Sequence, residues 1–435
     1  MASVSQPASD TAAREMAVPS GDALAGDTPA CRFCRAPLTH RFADLGMTPL
    51  ANAYRTAAQL REPERFYPLR AAVCDRCFLV QLEHLCAPEE LFRDYAYFSS
   101  FSESWLRHAA RYAAMATERF AIGGESQVVE IASNDGYLLQ YFQERGVPVL
   151  GIEPAENVAA VAAAKGIPTL TRFFGVETAR LLAERDQRAD LLIANNVLAH
   201  VPDINDFVAG LAIALRPTGV LTVEFPHLLN LIRQGQFDTI YHEHVSYLSL
   251  LTVERIFAAH GLTVFDVEEL PTHGGSLRGF ARHRDAAGAV AHRVGEMRAR
   301  ERAAGLDRIA TYGAFAERIK AIKRGLLAFL IEAKFTGRRI VGYGAAAKGN
   351  TLLNYCGIRD DFLDYVVDIS PHKQGLFLPG THIPIHHPDR VRETRPDYLL
   401  VLPWNLKDEI MEQMAFIRDW RGRFVFPIPT VRVVA

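Results

Sequence analysis

Short apolar runs alternate with amphipathic stretches from residue 127 onward. Apolar runs bounded by turn residues are typical of buried strands, and apolar positions three or four apart are typical of helices. The pattern predicts strands at 128–132, 149–153, 190–197, 219–225, 262–267 and 276–282, and helices at 105–120, 137–145, 155–165 and 204–215. Repeated strand–helix units predict an α/β fold with a parallel, doubly wound sheet that binds ligands at the carboxyl ends of its strands.

Acidic residues close the first two of these strands. Glu130 lies beside the turn E-I-A-S-N-D-G, and Glu153 ends the second strand in G-I-E-P. A carboxylate at the second position can accept the hydroxyls of an adenosine ribose, which NAD and S-adenosylmethionine both carry. The turn distinguishes them, because a pyrophosphate needs the bare backbone of G-x-G-x-x-G and this turn has one glycine. The pattern therefore favours S-adenosylmethionine.

Further cofactor candidates follow the other strands. Asn195 and Asn196 can meet the methionine end, and Phe173 or Phe174 can flank the adenine, although such an aromatic ring is more often simply part of the core. The expected cofactor-binding residues are Glu130, Ala132, Asn134, Asp135, Gly136, Glu153, Pro154, Phe174, Asn195 and Asn196. Together they favour a class I, Rossmann-like methyltransferase domain over a dehydrogenase.

The densest cluster of ionisable and hydroxyl side chains is Y-H-E-H-V-S-Y, residues 241–247, named here the catalytic segment. Its histidines are two apart, so they cannot share a helical face as the zinc ligands of H-E-x-x-H do. His244 is suited to proton abstraction near neutral pH, and Tyr241 can donate to a developing oxyanion. Glu243 can orient the imidazole. The alternative is a solvated polar turn, but the position after a strand's carboxyl end favours catalysis.

Two C-x-x-C pairs lie near the N-terminus, and each can direct both thiolates at one ion. Cys31, Cys34, Cys74 and Cys77 therefore predict a closed, structural zinc site with four thiolate ligands. A redox role is the alternative, but neither pair opens a helix in a βαβ unit.

A second strand-to-helix turn, R-R-I-V-G-Y-G-A-A-A-K-G-N, occurs at 338–350. Backbone amides at a helix start favour an anionic group, and Lys348 adds charge. A packing turn is an equal alternative for this motif alone. Lys373 follows the next strand, and His273 and Gly274 are candidates for lining the same cleft.

The chain has 435 residues, too many for one ordinary domain. We expect a disordered tail at 1–29, a zinc-binding domain at 30–90, a methyltransferase domain at 91–285 and a second α/β, Rossmann-like domain at 286–435. The net charge of −2 does not favour nucleic acid. No apolar run reaches roughly 18 residues, so we expect no membrane span and a cytoplasmic protein.

These motifs, with N-N-V-L-A-H-V and H-G-G-S-L-R, make the chain resemble the sugar C-methyltransferases of deoxysugar biosynthesis from Cys31 to its end. The resemblance implies a nucleotide-sugar substrate, methylated at C3 of an NDP-4-keto-deoxyhexose. It implies an active site of Tyr95, His200, Tyr241, Glu243 and His244. The expected substrate-binding residues are Tyr97, His242, His273, Gly274, Lys348, Asn350 and Lys373.

In the expected mechanism His244 removes the proton beside the ketone, and Tyr241, assisted by Tyr95, stabilises the enolate. Glu243 orients His244, and His200 contacts the substrate. An NAD(P)-dependent oxidoreductase using either glycine turn is the alternative among enzymes. A non-catalytic, zinc-containing adaptor is the alternative of another class, and the catalytic segment argues against it.

Overall fold

The computed structural model describes residues 29–86, 99–286 and 288–435. Its strands are β1 (His40–Thr48), β2 (Tyr67–Val73), β3 (Val80–Leu82), β4 (Val128–Ile131), β5 (Val149–Ile152), β6 (Thr169–Leu170), β7 (Ala189–Asn195), β8 (Leu215–Pro226), β9 (Ser246–Tyr247), β10 (Leu262–Leu270), β11 (Ser276–His283), β12 (Ile340–Tyr343), β13 (Val366–Val367), β14 (Ile385–His386), β15 (Tyr398–Val401), β16 (Arg423–Phe426) and β17 (Arg432–Val434).

The α-helices of the described residues connect and cover these strands. They are α1 (Glu103–Arg119), α2 (Gln140–Gln143), α3 (Glu156–Ala164), α4 (Val176–Glu184), α5 (Ile204–Ala214), α6 (Leu228–Gln234), α7 (Leu250–Ala259), α8 (His292–Ala303), α9 (Ile309–Phe335), α10 (Ala347–Cys356), α11 (Arg390–Thr394) and α12 (Lys407–Gln413). None of them is both long and apolar enough to cross a membrane.

The central sheet has the strand order β10-β11-β8-β7-β4-β5-β6. Its strands are parallel except β11, which runs antiparallel to both neighbours. The four residues of β4 and of β5 are all buried, as expected for parallel strands covered on both faces. The predicted doubly wound sheet is confirmed, and the ends of β4, β5 and β7 meet at one edge.

The first helix after β4 is shorter than predicted. The pattern predicts a helix at 137–145, but only Gln140–Gln143 is α-helical. The amides of Tyr141 and Phe142 bond to carbonyls three residues back, and the Gln140 side chain donates to the Tyr137 carbonyl at 2.7 Å. Tight turns therefore replace the first part of the helix.

The N-terminal sheet is antiparallel, with the order β1-β2-β3-β9. Its edge strand β9 comes from the catalytic segment, more than 160 residues after β3. The long helix α9 packs on β1, where the rings of Phe42 and Phe315 stack with 4.4 Å between their centres. One buried apolar cluster therefore runs from this sheet into the C-terminal part of the chain.

The C-terminal sheet has the order β14-β13-β12-β15-β16-β17 and is parallel except for β17. Helix α10 follows β12 through the glycine turn noted above. The predicted second α/β unit is confirmed. The fold class is thus an N-terminal zinc-binding module, a Rossmann-like central sheet and a second Rossmann-like sheet.

Candidate active site

Four cysteine side chains of the N-terminal module form one cluster. The Sγ atoms of Cys31, Cys34, Cys74 and Cys77 lie within 4.8 Å of one another. Cys31 and Cys77 are 3.6 Å apart, and Cys34 and Cys74 are 3.4 Å apart. Tetrahedral zinc with Zn–S bonds of about 2.3 Å needs sulfur separations of about 3.8 Å, so these thiolates fit the ion.

The two cysteine pairs lie on matching turns. The amide of Arg35 donates to the Cys31 carbonyl at 2.9 Å, and the amide of Phe78 donates to the Cys74 carbonyl at 3.0 Å. Arg35 and Phe78 both have a φ of 61°, in the left-handed region. The same local backbone therefore presents both pairs to one point.

The loop after β4 and the end of β5 are joined by one carboxylate. Glu153 Oε2 accepts from the amide of Asn134, and Oε1 accepts from the amide of Ala155, each at 2.9 Å. Ala132 and Asn134 have φ values of 55° and 51°, and Gly136 has 77°. Such conformations in non-glycine residues cluster at ligand sites, which supports a preformed binding loop here.

Several buried polar atoms around this loop have no hydrogen-bond partner within the described part of the chain. They are Oε2 of Glu130, Oδ1 of Asp135, and Oδ1 and Nδ2 of Asn196. Burial raises the pKa of Glu130 well above its usual value, and the carboxylate of Glu153 raises it further. Because buried polar groups normally have partners, these atoms suit the ammonium, carboxylate and hydroxyl groups of S-adenosylmethionine.

Two predicted cofactor residues also accept hydrogen bonds from backbone amides of the segment before α1. Asn134 Oδ1 accepts from the amide of Ser99 at 2.9 Å, and Asp135 Oδ2 accepts from the amide of Ser100 at 3.3 Å. Lys165 Nζ lies 3.5 Å from Asp135 Oδ2. These side chains therefore fix the backbone that leads into α1, a role that the sequence did not indicate.

The remaining predicted cofactor residues lie around this loop. Asn195 ends β7 and donates to Glu224 Oε1 at 3.3 Å. Phe174 packs edge-on against Phe207 with 5.4 Å between ring centres, and Pro154 follows Glu153, the first residue after β5. Their cofactor contacts stay predictions.

Tyr241 and His244 form a hydrogen-bonded pair. His244 Nδ1 lies 2.9 Å from the Thr239 carbonyl, and Nε2 lies 2.8 Å from the Tyr241 hydroxyl. Because a carbonyl only accepts, Nδ1 carries the proton, and Nε2 accepts from Tyr241. Burial lowers the pKa of His244 well below 6.5, and nearby His200 lowers it further. The imidazole is therefore neutral at pH 7.

His200 faces this pair from the turn after β7. The ring centres of His200 and His244 are 4.7 Å apart, with the rings nearly perpendicular. Burial lowers the pKa of His200 to about 4. Its Nδ1 is buried and has no partner among the described residues. A neutral imidazole with an available nitrogen can contact a substrate hydroxyl.

The Glu243 side chain makes a different contact from the one expected. Its carboxylate accepts from Nδ2 of Asn52 at 2.6 Å, and burial raises its pKa to about 7. Both ring nitrogens of His244 are occupied by Thr239 and Tyr241. The expectation that Glu243 orients His244 is therefore wrong, because these two neighbours already do so.

His242 is turned to the N-terminal sheet. Its Nε2 lies 3.3 Å from the Pro68 carbonyl, and its ring packs edge-on against Tyr67 at 5.8 Å. Its expected contact with substrate is therefore not supported by its position. Tyr95 and Tyr97, the other predicted residues that precede the central sheet, lie outside the described residues.

Lys348 approaches the catalytic segment from the C-terminal sheet. Its Nζ donates to the His273 carbonyl at 3.3 Å and lies 5.3 Å from the centre of the Trp404 ring. Trp404 in turn donates from Nε1 to Asp238 Oδ2 at 2.7 Å. Burial lowers the pKa of Lys348, and Asp238 opposes this change. Lys348 also contributes to the lowered pKa of His244, after burial and His200.

Three further predicted substrate residues make contacts within the protein. A Cβ added at Gly274 would lie 2.7 Å from the Trp404 ring, and its φ is 85°. Asn350 Oδ1 accepts from the next turn of its own helix at 3.3 Å. Lys373 Nζ donates to the Ala345 carbonyl at 2.9 Å. Substrate contacts of these three residues stay predictions.

Comparison with known proteins places these features in a family. Family models match residues 31–92 as a zinc binding domain, 105–267 as a methyltransferase domain and 271–429 as a C-methyltransferase C-terminal domain. The C-methyltransferase NovU of Streptomyces niveus is 36% identical over 408 residues, which cover 93% of this chain and 96% of NovU. The chain belongs to this C-methyltransferase family. The resemblance seen in the motifs is thereby confirmed.

This chain is therefore an S-adenosylmethionine-dependent C-methyltransferase, and its cofactors are S-adenosylmethionine and zinc.

A shorter match is the ubiquinone biosynthesis O-methyltransferase of Rhodopseudomonas palustris (strain BisA53), which is 31% identical over 98 residues. These residues cover 22% of this chain and 38% of that protein. Among solved structures, magnesium protoporphyrin IX methyltransferase (ChlM) from Synechocystis PCC 6803 with bound SAM has a TM-score of 0.32 and 15% identity, covering 40% of this chain and 78% of that chain.

Three polar residues of the candidate site were not identified from the sequence. Asn52 bonds to Glu243, and Asp238 and Trp404 bond to each other beside Lys348. Asp238 lies three residues before the catalytic segment, which was a usable signal. Asn52 and Trp404 lie far away in sequence and had none.

Proposed function

We propose that the C-methyltransferase methylates a carbon of a nucleotide-linked keto-sugar, at C3 of an NDP-4-keto-deoxyhexose. The pairing of Tyr241 with His244 carries this proposal. It combines a neutral imidazole, whose Nε2 carries no proton, with an adjacent phenol donor. Removal of a proton beside a ketone needs such a base, and the enolate oxygen needs such a donor.

Methylation at a carbon explains why the proposed substrate carries a ketone. A carbon without activation has no electron pair available for a new bond, whereas a carbon beside a ketone gains one when its proton leaves. Bound S-adenosylmethionine would supply an electrophilic methyl group, and its sulfur would keep the electron pair of the broken methyl–sulfur bond. In the proposed step the proton passes to Nε2 of His244, and the pair from the C–H bond then forms the new carbon–carbon bond.

Tyr241 has two partners in this scheme. In the structure its hydroxyl donates to Nε2 of His244. With substrate bound, the hydroxyl donates to the ketone oxygen, which leaves Nε2 available for the proton. His200 is proposed to contact the sugar, and Tyr95 is proposed to assist Tyr241.

The cofactor is proposed to bind at the ends of β4, β5 and β7. Each carboxylate oxygen of Glu153 has one backbone donor and keeps a second lone pair, which can accept a ribose hydroxyl. The partnerless atoms of Glu130, Asp135 and Asn196 suit the methionine end. In this proposal the base and the methyl donor lie at the same edge of the central sheet, because His200, which follows β7, faces His244.

The C-terminal unit is proposed to bind the anionic nucleotide. Lys348 lies in the first turn of α10, where the positive end of the helix favours an anion. Its Nζ also donates to the His273 carbonyl at 3.3 Å and interacts electrostatically with Asp238, three residues before the catalytic segment. A nucleotide sugar held there would present its sugar to the Tyr241–His244 pair.

A substrate panel tests the proposal. Purified enzyme is incubated with S-adenosylmethionine and NDP-4-keto-sugars, and the sugar product is analysed by mass and by NMR. We expect one added methyl group on carbon, and no reaction with matched NDP-sugars that lack the ketone. Methylation at oxygen, or equal methylation of the matched sugars, would contradict the proposal.

A further inference from the structure

The catalytic segment ends as an edge strand of the zinc module. In the antiparallel pair of β3 and β9, Gln81 faces Ser246 and Val80 faces Tyr247. The amide of Leu82 also donates to the Val245 carbonyl at 3.0 Å. The residue after the proposed base is therefore hydrogen-bonded to the N-terminal sheet.

Arg32 links the first cysteine turn to the same backbone. It lies between Cys31 and Cys34, and its guanidinium NH2 group donates to the Val245 carbonyl and, at 2.9 Å, to the Ser246 hydroxyl. Its other terminal nitrogen lies 3.5 Å from the Leu82 carbonyl.

Gln81 connects the cysteine turn to β3. Its side-chain oxygen accepts from the Arg32 amide at 2.9 Å, and its Nε2 lies 3.2 Å from Cys31 Sγ. Gln81 is fully buried. The turn, the sheet and the Arg32 side chain therefore form one hydrogen-bonded unit.

Val245 is held from its other side by the methyltransferase core. Its amide donates to the Ala199 carbonyl at 2.8 Å, one residue before His200. The Thr239 carbonyl meanwhile fixes Nδ1 of His244. The backbone that carries His244 therefore depends on bonds at both ends, and Arg32 supplies a charged donor at the second end.

We propose that Arg32 is a positioning residue, which couples the zinc turn to the orientation of His244 and Tyr241. This rests on the proposed catalytic role of that pair. A guanidinium presents five donors in a rigid, charged fork, whereas the amide of a neutral side chain offers only two uncharged donors. A displacement of about 1 Å in catalytic geometry can slow a reaction by about 100-fold, so loss of this donor should lower kcat.

Three variants test the coupling. Arg32→Gln removes the charged fork, Arg32→Lys keeps the charge, and Arg76→Gln makes the same charge change at an exposed position of the second cysteine turn. Ser246→Ala removes one acceptor and is a milder variant for use if Arg32→Gln does not fold. For each, the measurements are kcat and KM with an NDP-4-keto-sugar, calorimetric affinity for S-adenosylmethionine, zinc per chain, and amide hydrogen exchange of residues 244–247.

Arg32→Gln should lower kcat by about 10- to 100-fold and speed exchange of the 244–247 amides. Zinc content and cofactor affinity should stay at wild-type values. Arg32→Lys should recover part of the loss, Ser246→Ala should give a smaller loss, and Arg76→Gln should resemble wild type. Unchanged kcat and exchange in Arg32→Gln, or loss of zinc from it, would overturn the proposal.

The exchange measurement separates this proposal from the proposed function. If wild-type enzyme does not methylate any keto-sugar, the function is wrong, and exchange at 244–247 still reports whether Arg32 orders the segment. If wild-type enzyme is active and Arg32→Gln matches it in kcat and exchange, only the coupling is wrong.

Discussion

The hydroxyl of Tyr241 donates to Nε2 of His244 across 2.8 Å, while the Thr239 carbonyl binds the proton on Nδ1. The tautomer of His244 follows from these two contacts, because a carbonyl cannot donate. The nitrogen without a proton therefore lies on the side of the phenol. The proposed base and the proposed oxyanion donor are thus hydrogen-bonded to each other, and the first two predictions test them separately.

Replacing His244 with asparagine should remove the base. Given a keto-sugar and a non-reactive cofactor analogue, wild-type enzyme should exchange the proton beside the ketone with deuterated water. His244→Asn should stop this exchange and methylation, while cofactor affinity survives because the cofactor loop does not include this residue. The exposed His387→Asn variant is the matched control.

Near-normal exchange in His244→Asn would instead indicate that another residue, such as Tyr241 or His200, removes the proton beside the ketone.

The pH profile of activity gives a second check on His244. Because burial lowers the pKa of His244 well below 6.5, activity should persist below that pH, until the imidazole is protonated or the protein unfolds. An acid limb centred at or above 6.5 would exclude a buried imidazole as the base.

Tyr241→Phe should slow methylation and proton exchange together without abolishing either. The variant removes the donor to the enolate oxygen and leaves the base, so a loss of about 100-fold in kcat is in scale. Cofactor affinity and zinc content should be unchanged. Complete loss of exchange would indicate that the phenol itself carries the proton.

Local patterns predicted the elements and the metal ligands. The apolar runs that became β4 and β5 have their own turn residues, and each cysteine pair folds within five residues. The sequence also indicated Tyr241 and His244 as candidate donor and base in one segment, but it did not predict the hydrogen bond between them. Information of this kind is contained in neighbouring residues, so a pattern is enough to read it.

Contacts between distant segments could not be read in this way. Glu243 bonds to Asn52, 191 residues away, and not to its neighbour His244. Arg32 meets Val245 across 213 residues. The packing of the three sheets determines which distant polar groups come within hydrogen-bonding distance. No spacing in the sequence encodes that packing. The expected role of Glu243 was wrong for this reason.

Glu153→Ala should weaken S-adenosylmethionine binding by ~2 kcal/mol, the scale of a lost hydrogen bond to a charged acceptor. The variant also frees the amides of Asn134 and Ala155, so the loop after β4 should loosen. Calorimetry measures the affinity, and the exposed Glu156→Ala, in the first turn of α3, is the control. Unchanged affinity in Glu153→Ala would remove this residue from the cofactor site.

Lys348→Ala should raise KM for the nucleotide sugar and leave cofactor affinity unchanged. The residue lies at the start of α10 in the C-terminal unit, whereas the proposed cofactor residues lie at the central sheet. Steady-state kinetics with each substrate varied in turn measures the split. Lys407→Ala, an exposed position of the same unit, is the control. Equal damage to both substrates would assign Lys348 a structural role.

His242 should make the protein sensitive to acid. Its side chain is buried against Tyr67 and Pro68, and burial lowers its pKa to about 4. The unfolded chain, with a usual value of about 6.5, therefore binds a proton that the folded protein does not bind between these two pH values. Stability consequently falls as pH falls through this window.

His242→Gln removes the imidazole that binds this proton, and the glutamine amide can still donate to the Pro68 carbonyl. Between pH 7 and pH 5 the loss of unfolding free energy should be smaller in the variant than in wild type by about 2 kcal/mol, from the linkage of one group. Urea unfolding at both pH values measures the difference, and the exposed His292→Gln is the control. If wild type and His242→Gln lose stability equally, His242 is protonated in the folded protein, and its buried position must admit water or a counter-charge.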